Sequence, residues 1–191
     1  MKKVAFLLAG CAVVLSVFAG CQKANKVIED NAVKVTVAGD GKFPEFLAGT
    51  WKADNDQWEF TFEPDGTISS AVIDSGMIKV TPGWKTATFK LDKGTGEYKF
   101  GDWSAAYTPD SRELAVEVVV DEYTLSSKSV TMKGHSTDWF VGPVSEDKQS
   151  WKADWYTFIK VVASSQGEDD VVFDDDPNGN PVATLVFTKQ Q

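Results

Sequence analysis

An alternation of apolar and polar side chains, followed directly by a turn, most strongly limits what this chain can fold into. In the segment 57–63 every second residue is aromatic, so Trp58, Phe60 and Phe62 share one face of an extended segment. The sequence Pro-Asp-Gly at 64–66 then predicts a tight turn, because proline presets φ and glycine tolerates positive φ. Together these features predict a β-hairpin with one buried face.

The composition favours the same fold class along the rest of the chain. After Cys21 there are 19 Val and 15 Thr but only five Leu. Branching at Cβ suits a pleated strand and restricts rotamers in a helix. Further short runs of this kind predict strands at 67–73, 77–81, 86–91, 96–100, 103–108, 113–120, 129–133, 138–141, 151–162, 171–173 and 182–188. Strands at about this spacing predict a single all-β domain, either an antiparallel β-barrel or a β-sandwich.

The first twenty residues have the pattern of an export signal. Lys2 and Lys3 precede an uncharged, largely apolar run over 4–20 that ends in small residues. The sequence Val-Phe-Ala-Gly-Cys at 17–21 resembles the lipobox of bacterial lipoproteins. The resemblance implies that the thiol of Cys21 receives a diacylglyceryl group and that a peptidase then cuts before it. Cys21 would become the lipidated first residue.

Two alternatives to this anchor stay open. Leu-Ala-Gly-Cys at 8–11 also fits a lipobox, but cleavage there would leave an apolar stretch of only 4–10, which is short for a signal core. A soluble export signal with an incidental cysteine is the other. With Cys21 lipidated, no cysteine pair remains for a disulfide, and its acyl chains would hold the protein on a membrane. We therefore expect a lipid-anchored protein of the bacterial cell envelope, on the outer membrane in a Gram-negative host.

The charge balance argues against a nucleic-acid partner. The chain has 28 acidic and 19 basic side chains, a net charge of −9. Loss of Lys2 and Lys3 with the signal would leave 17 basic side chains against 28 acidic ones, a balance of −11. Binding of phosphate backbones needs clustered Lys and Arg. One histidine and two cysteines are also too few ligands for a usual zinc site.

The start of the mature domain carries a second resemblance. The sequence Phe-Leu-Ala-Gly-Thr-Trp at 46–51, with the hairpin after it, resembles the opening of lipocalin-like barrels. The resemblance implies an apolar helical turn leading to Gly49 and Trp51, with Trp51 closing the floor of an eight-stranded barrel. Family members commonly cover this tryptophan with a basic residue of the last strand, here Lys189. The expected organisation is a signal peptide at 1–20, a tether at 21–39 and a lipocalin-like all-β domain at 40–191.

An acidic segment near the C terminus has the pattern of a calcium loop. Asp174, Asp176, Asn178 and Gly179 match the first, third, fifth and sixth positions of D-x-[DN]-x-[DN]-G. The twelfth position, which should supply a glutamate, is Leu185, so an EF-hand is excluded. Two interpretations stay open: a looser calcium site, and a solvated acidic turn with Asn-Gly at its tip. No other cofactor is expected.

Catalytic motifs do not stand out in the sequence. His135 lies three residues before Asp138, and a serine relay would have to use it with Ser136 or Ser129, yet no nucleophile elbow is present. We predict a surface histidine. Arg112 is predicted to form a local salt bridge beside a turn. Acidic residues scatter evenly, so no carboxylate pair of a glycosidase is singled out, and an enzyme is not expected.

The seven tryptophans allow two interpretations. Large rings fill a core that is poor in leucine, or exposed rings stack on sugars or meet a partner. Those near polar turns are Trp84, Trp103, Trp139, Trp151 and Trp155. The sequence therefore predicts a non-enzymatic, lipid-anchored binding protein for a small apolar ligand or an envelope protein. The alternative is a carbohydrate-binding module that uses exposed tryptophans, with calcium assisting in one version.

Overall fold

The structure is a computed structural model that describes residues 22–27, 33–39, 41–73, 78–165, 171–175 and 179–191. Within these ranges the protein is all-β, which confirms the predicted class, and its one helical element is a 3-10 turn at Glu45–Leu47. The strands are β1 (Gln22–Val27), β2 (Thr36–Val37), β3 (Gly49–Ala53), β4 (Glu59–Phe62), β5 (Ile68–Ile73), β6 (Ile78–Val80), β7 (Thr86–Leu91), β8 (Gly94–Phe100), β9 (Ser104–Thr108), β10 (Glu113–Ser127), β11 (Val130–Pro143), β12 (Ser150–Ser165), β13 (Val171–Asp175) and β14 (Ala183–Lys189).

These fourteen strands belong to one mixed sheet. Along its main path the order is β1-β7-β8-β10-β11-β12-β14-β3-β4-β5-β6, while β13 pairs with β12, and β9 lies between β10 and β2. The pairing of β2 with β9 is parallel, and the other named pairings are antiparallel. The main path has two edge strands, so the strand order is open rather than the closed ring of eight that the lipocalin-like resemblance implies.

Three long central strands explain why the sheet has more than eight members. β10, β11 and β12 contain 15, 14 and 16 residues. The first part of β10 pairs with β9 and its second part with β8. In the same way, β12 pairs first with β14 and then with β13. Each of these two strands therefore serves two different neighbours on the same side, which a simple eight-stranded barrel does not require.

β11 joins two segments, 129–133 and 138–141, that the sequence predicts as separate strands. Gly134 and the polar residues after it predict a break, but the pairing with β12 runs through them without a shift in register. A Cβ at position 134 would lie 2.2 Å from the carbonyl oxygen of Lys160 and 2.9 Å from the ring of Tyr123. The glycine therefore marks a close approach of neighbouring atoms and does not end the strand.

A β-bulge in β10 changes the phase of its alternation. Buried residues occur at every second position from Leu114 to Val120 and then at Tyr123 and Leu125. The register with β8 and with β11 shifts at this point, as expected where an extra residue enters one strand. The predicted strand 113–120 is shorter than β10 because the sequence alternation stops at the bulge.

Much of the predicted tether, 21–39, lies in the sheet. β1 pairs with β7. Every second residue over 33–37 is a valine, and Val35 is 4% exposed. Lys34 forms a bridge with Thr67 on one side of this segment, and β2 pairs with β9 on the other. The alternating valines are therefore a strand pattern, too short to stand out in the sequence.

Aromatic rings dominate the core beneath β3, β4, β11, β12 and β14. The largest fully buried aromatic side chains are Trp51, Trp151, Phe60, Phe62, Phe140 and Phe187. The ring centroids of Trp151 and Phe187 are 4.5 Å apart, and those of Trp58 and Phe140 are 4.7 Å apart. Rings at these separations are in direct contact, so they fill this part of the interior.

Candidate functional site

The predicted lipidation site, Cys21, lies outside the described residues. Gln22, the next residue, begins β1, which is an edge strand of the main path. A lipid on Cys21 would therefore be attached directly to the edge of the sheet. Within the described ranges, no helix is long and apolar enough to cross a membrane.

The predicted barrel-floor residues Gly49, Trp51 and Lys189 lie together, because β3 pairs with β14 at this point. Trp51 is fully buried, and its Nε1 donates to the carbonyl oxygen of Leu47 at 2.8 Å. The Lys189 ammonium donates to the carbonyl oxygen of Phe46 at 2.8 Å and lies 6.0 Å from the centroid of the Trp51 ring. The lipocalin-like resemblance implies that Lys189 covers Trp51, and the barrel floor that it also implies stays a prediction.

Gly49 gives Lys189 the room for this contact. Its φ is +118°, a conformation that residues with a side chain rarely adopt. A Cβ at position 49 would lie 3.1 Å from Cε of Lys189. The three residues thus form a packed end of the core in which the lysine is held by a backbone carbonyl. We assign them a structural role.

A fixed aromatic surface lies on the outer side of the central strands. Trp139 in β11 is 46% exposed, the highest fraction among the seven tryptophans. Its ring packs edge-on against Phe158, with 5.9 Å between centroids, and Tyr156 lies opposite it on β12. Its Nε1 donates to Oε1 of Glu117, while Ser104 Oγ donates to Oε2 of the same carboxylate at 3.0 Å. These five residues are termed the Trp139 face.

The register of the sheet builds the Trp139 face. Ser104, Glu117, Trp139 and Tyr156 occupy one row across β9, β10, β11 and β12. Side chains directly opposed on neighbouring antiparallel strands share a face and have Cβ atoms about 4.5–5.5 Å apart. The carboxylate on β10 therefore reaches the indole on β11. An exposed ring is held in one orientation as a result.

Along β12, a carboxylate lies nearer to the Trp139 face than the lysine ammonium groups do. Glu117 contacts the indole, and Asp154 is two residues from Tyr156 on the same side of β12. The outward lysines of β12, Lys152 and Lys160, are each four residues from Tyr156, roughly 13 Å along a strand that rises about 3.3 Å per residue. Because this separation exceeds the Debye length of about 8 Å at physiological ionic strength, these two lysines offset the charge of Glu117 only weakly.

His135 and Asp138 do not form a catalytic relay. Residues three apart on a strand point to opposite faces: His135 is exposed on the outer face, whereas Asp138 is 7% exposed on the inner face. Ser136 is on the inner face as well. Oδ1 of Asp138 accepts a hydrogen bond of 2.9 Å from Nε1 of Trp155. Asp138 is the one buried charged residue among the described side chains, and the sequence singles it out only through its spacing from His135.

The predicted calcium loop falls largely outside the described residues. Asp176 and Asn178 are not described, and Asp174 lies in β13, where its backbone pairs with Lys160. Gly179 has a φ of +79°, which suits a turn. In the ranges that the structure describes, no group of three or more His, Cys, Asp or Glu side chains could hold a metal ion. The calcium site stays a prediction.

The other tryptophans singled out by the sequence belong to the core or its border. Trp84 is 7% exposed and Trp151 is fully buried. Trp103 and Trp155 are half-buried, and each packs against a phenylalanine ring at 6.1 Å between centroids. Of the five tryptophans, Trp139 alone is exposed, and the register of β11 with its neighbours places it on the outer side.

Exposed ion pairs occur elsewhere on the surface. Arg112 forms a salt bridge, but its partner is not in the adjacent turn: its Nη1 lies 3.3 Å from Oε1 of Glu146. Lys99 and Glu122 are 2.7 Å apart. Their hydrogen bond and mutual attraction raise the pKa of Lys99 and lower the pKa of Glu122. Exposed pairs of this kind contribute little to stability, and we assign none of these residues to the site.

No family model, no curated protein and no solved structure matches this chain. A functional assignment therefore depends on the geometry of the Trp139 face and on the packing of the interior.

Proposed function

We propose that this protein is a lipid-anchored component of the bacterial cell envelope that binds carbohydrate without catalysing a reaction. One observation carries the proposal: Trp139 is 46% exposed, and Glu117 nevertheless fixes its indole. Exposed apolar surface on a folded domain marks interaction sites when it is contiguous, and Tyr156 and Phe158 extend the surface beyond one ring. A binding group that is already oriented also loses less freedom when its ligand arrives.

A sugar ring matches the chemistry of the Trp139 face. A pyranose has one face of C–H groups, which stacks on an indole, and an edge of hydroxyl groups, which donate hydrogen bonds. An ionised carboxylate has about four acceptor positions. In Glu117, the indole of Trp139 and the hydroxyl of Ser104 use two of them. A hydroxyl of a stacked sugar can donate to one that remains.

A small apolar ligand inside the sheet has less support. The rings of Phe60 and Phe140 are 5.6 Å apart between centroids, and those of Phe140 and Phe187 are 5.8 Å apart. A ligand in this region would have to displace rings that already contact one another. A protein partner would use the exposed Trp139 too, and the binding experiment below separates it from a glycan.

We also propose that part of the sheet closes into a barrel. The support is the segment 33–38, which is hydrogen-bonded on both sides. The Val35 amide donates to the carbonyl oxygen of Gly66 at 2.7 Å, and the Ala38 amide donates to that of Tyr107 at 2.9 Å. These bonds link the β4–β5 hairpin to β9. In such a ring the packed aromatic core is inside and the Trp139 face is outside.

The anchor is tested by metabolic labelling with an alkyne-tagged fatty acid in a bacterial host. We expect the full-length protein to be labelled, the Cys21→Ala variant to lose the label, and the matched Cys11→Ala variant to keep it. A label that disappears with Cys11→Ala and persists with Cys21→Ala would move the anchor to the other lipobox.

The carbohydrate proposal is tested by binding of the purified mature domain to an array of glycans. Trp139→Ala is expected to weaken binding at least about tenfold, as for an aromatic residue at the centre of a binding surface, and Trp139→Tyr to retain part of it. Val186→Ala is the control, because Val186 is 36% exposed on β14 outside the Trp139 face. A wild-type domain that binds no glycan, or equal binding by Trp139→Ala, would contradict the proposal.

Two further measurements accompany this experiment. Thermal unfolding checks that Trp139→Ala is folded, since an exposed substitution is expected to change the stability by less than about 1 kcal/mol. Reducing ends are assayed in the same samples. Their release from a bound glycan would contradict the non-enzymatic part of the proposal.

A further inference from the structure

We infer that the Trp139 face selects uncharged glycans and rejects acidic ones, such as polyuronates. The inference depends on the proposed function, because it names the ligand class of the same surface. It starts from Glu117, whose carboxylate lies at the edge of the indole on which the sugar would stack. A sugar carboxylate on that indole would therefore come within a few ångströms of Glu117.

The hydrogen bonds of Glu117 leave its charge uncompensated by a cation. Its two oxygens accept from the indole of Trp139 and from the hydroxyl of Ser104, which are both neutral donors. Asp154 has the same kind of partner: its Oδ1 accepts from the hydroxyl of Thr184 at 2.6 Å. Hydrogen bonds from neutral groups orient a carboxylate but do not cancel its charge for an approaching anion.

The lysines nearest to the Trp139 face along β12 are more distant. Lys152 and Lys160 are each four residues from Tyr156. Each separation is roughly 13 Å along a strand, more than a Debye length at physiological ionic strength. Lys34 precedes β2, which is two strands from β10, roughly 10 Å across the sheet. The net charge of the chain, −9, has the same sign as the two carboxylates. An acidic glycan would thus meet repulsion from near and far charges.

Uncharged glycans can form the hydrogen bonds and the stacking contact of the Trp139 face without this electrostatic repulsion. Their hydroxyl groups donate to Glu117, and the stacking on Trp139 does not depend on charge. Two like charges about 4 Å apart in water repel by about 1 kcal/mol, which corresponds to about a fivefold loss of affinity. Together with the smaller repulsion from Asp154, which lies farther from the indole, we expect discrimination of about tenfold.

The test is calorimetric titration of the purified mature domain with neutral hexasaccharides of glucose, xylose and mannose and with hexagalacturonate. We expect at least one neutral hexasaccharide to bind, and hexagalacturonate to bind about tenfold more weakly or not at all. Raising the salt concentration should reduce the difference between the affinities for the neutral hexasaccharide and for hexagalacturonate, because salt screens the repulsion. The affinity for the neutral hexasaccharide should not change.

Glu117→Gln removes the charge and keeps an oxygen that can accept from the indole. It should bring the affinities for neutral and acidic hexasaccharides together, because hexagalacturonate no longer meets the charge of Glu117 and the neutral sugars lose a charged acceptor. Asp154→Asn should act in the same direction, which keeps the test decisive if Glu117→Gln displaces the indole. Asp92→Asn is the matched control, because it removes one negative charge far from the Trp139 face. Asp92 lies in the β7–β8 turn next to Gly94. Gly94 pairs with Ser127, which is ten residues from Glu117 along β10.

The outcomes separate the inference from the proposed function. Hexagalacturonate that binds as tightly as the neutral sugars, with both affinities lost in Trp139→Ala, would overturn the inference and leave carbohydrate binding in place. Unchanged discrimination in both Glu117→Gln and Asp154→Asn would overturn it as well. No binding of any glycan would instead refute the proposed function itself.

Discussion

Trp139 and Trp151 show that the side of the sheet on which a tryptophan lies determines what its indole contacts. Trp151 is fully buried, and its Nε1 donates to the carbonyl oxygen of Gly142 at 3.0 Å. Trp139, on the neighbouring strand, points outward and donates to a side-chain carboxylate instead. Both N–H groups have partners, as tryptophans in folded proteins generally require. The first indole fills the core, and the second is free to offer one of its faces to a ligand.

At the residue scale, we predict that Gly49→Ala lowers the free energy of unfolding by about 1–3 kcal/mol, the usual cost of a residue forced into a sparsely populated backbone conformation. The cost lies in the φ of +118° more than in the contact with Lys189, whose side-chain end can move. Chemical denaturation measures it. Lys189→Ala combined with Gly49→Ala should not recover the loss, and a full recovery would show that the side-chain contact dominates.

Some residue-scale features could be predicted from the sequence and others could not. The proximity of Trp51 and Lys189 is what the lipocalin-like resemblance implies. The burial of Asp138 could not be predicted, because the sequence gives no sign of which side of β11 faces the core around a glycine and several polar residues. The same ambiguity left five tryptophans as equal candidates, until the register placed Trp139 outward.

At the scale of elements, the continuity of β10, β11 and β12 determines the site. The Trp139 face needs four strands in one register row, and it lies where β10 pairs with β9 on one side and with β11 on the other. The bulge after Val120 changes the phase of β10 beyond this row. Glu117 lies before the bulge, so it keeps the outward orientation that brings its carboxylate to the indole.

We predict that Gly134→Ala destabilises the protein by about 1–3 kcal/mol or more, the range for over-packing a filled site. An added Cβ would lie 2.2 Å from the carbonyl oxygen of Lys160, which is backbone and cannot move aside without shifting β12. Chemical denaturation measures the loss, with Ser136→Ala as a control at the next inward position. An unchanged stability would mean that β11 is broken at Gly134, as the sequence pattern suggests.

Elements could be predicted where the alternation is strong and the turn chemistry is local. The hairpin of β4 and β5, with its Pro-Asp-Gly turn, is an example. The prediction failed for β11 because a glycine can mark either a turn or a close approach, and a single sequence does not distinguish the two. The bulge in β10 was hidden for a related reason, since it ends one alternating pattern and starts another.

At the scale of the whole molecule, the N-terminal segment joins parts of the sheet that are distant along the chain. β1 follows Cys21 directly, and the segment 33–38 is bonded to both the β4–β5 hairpin and β9. No local pattern in the sequence reveals these partners, because Gly66 and Tyr107 are distant along the chain. A lipid at Cys21 would thus hold the sheet close to a membrane, while the Trp139 face lies on strands in the middle of the sheet.

The most direct test of the central claim, that ligand binding occurs on the outer Trp139 face, is a nuclear magnetic resonance titration that follows the indole N–H signals of the seven tryptophans. When a neutral glycan from the binding array is added, the signal of Trp139 is predicted to shift most, while the signals of the inward-facing Trp58 and Trp155 stay in place. Shifts of Trp58 and Trp155 with an unchanged Trp139 signal would contradict the account and place the ligand inside the sheet.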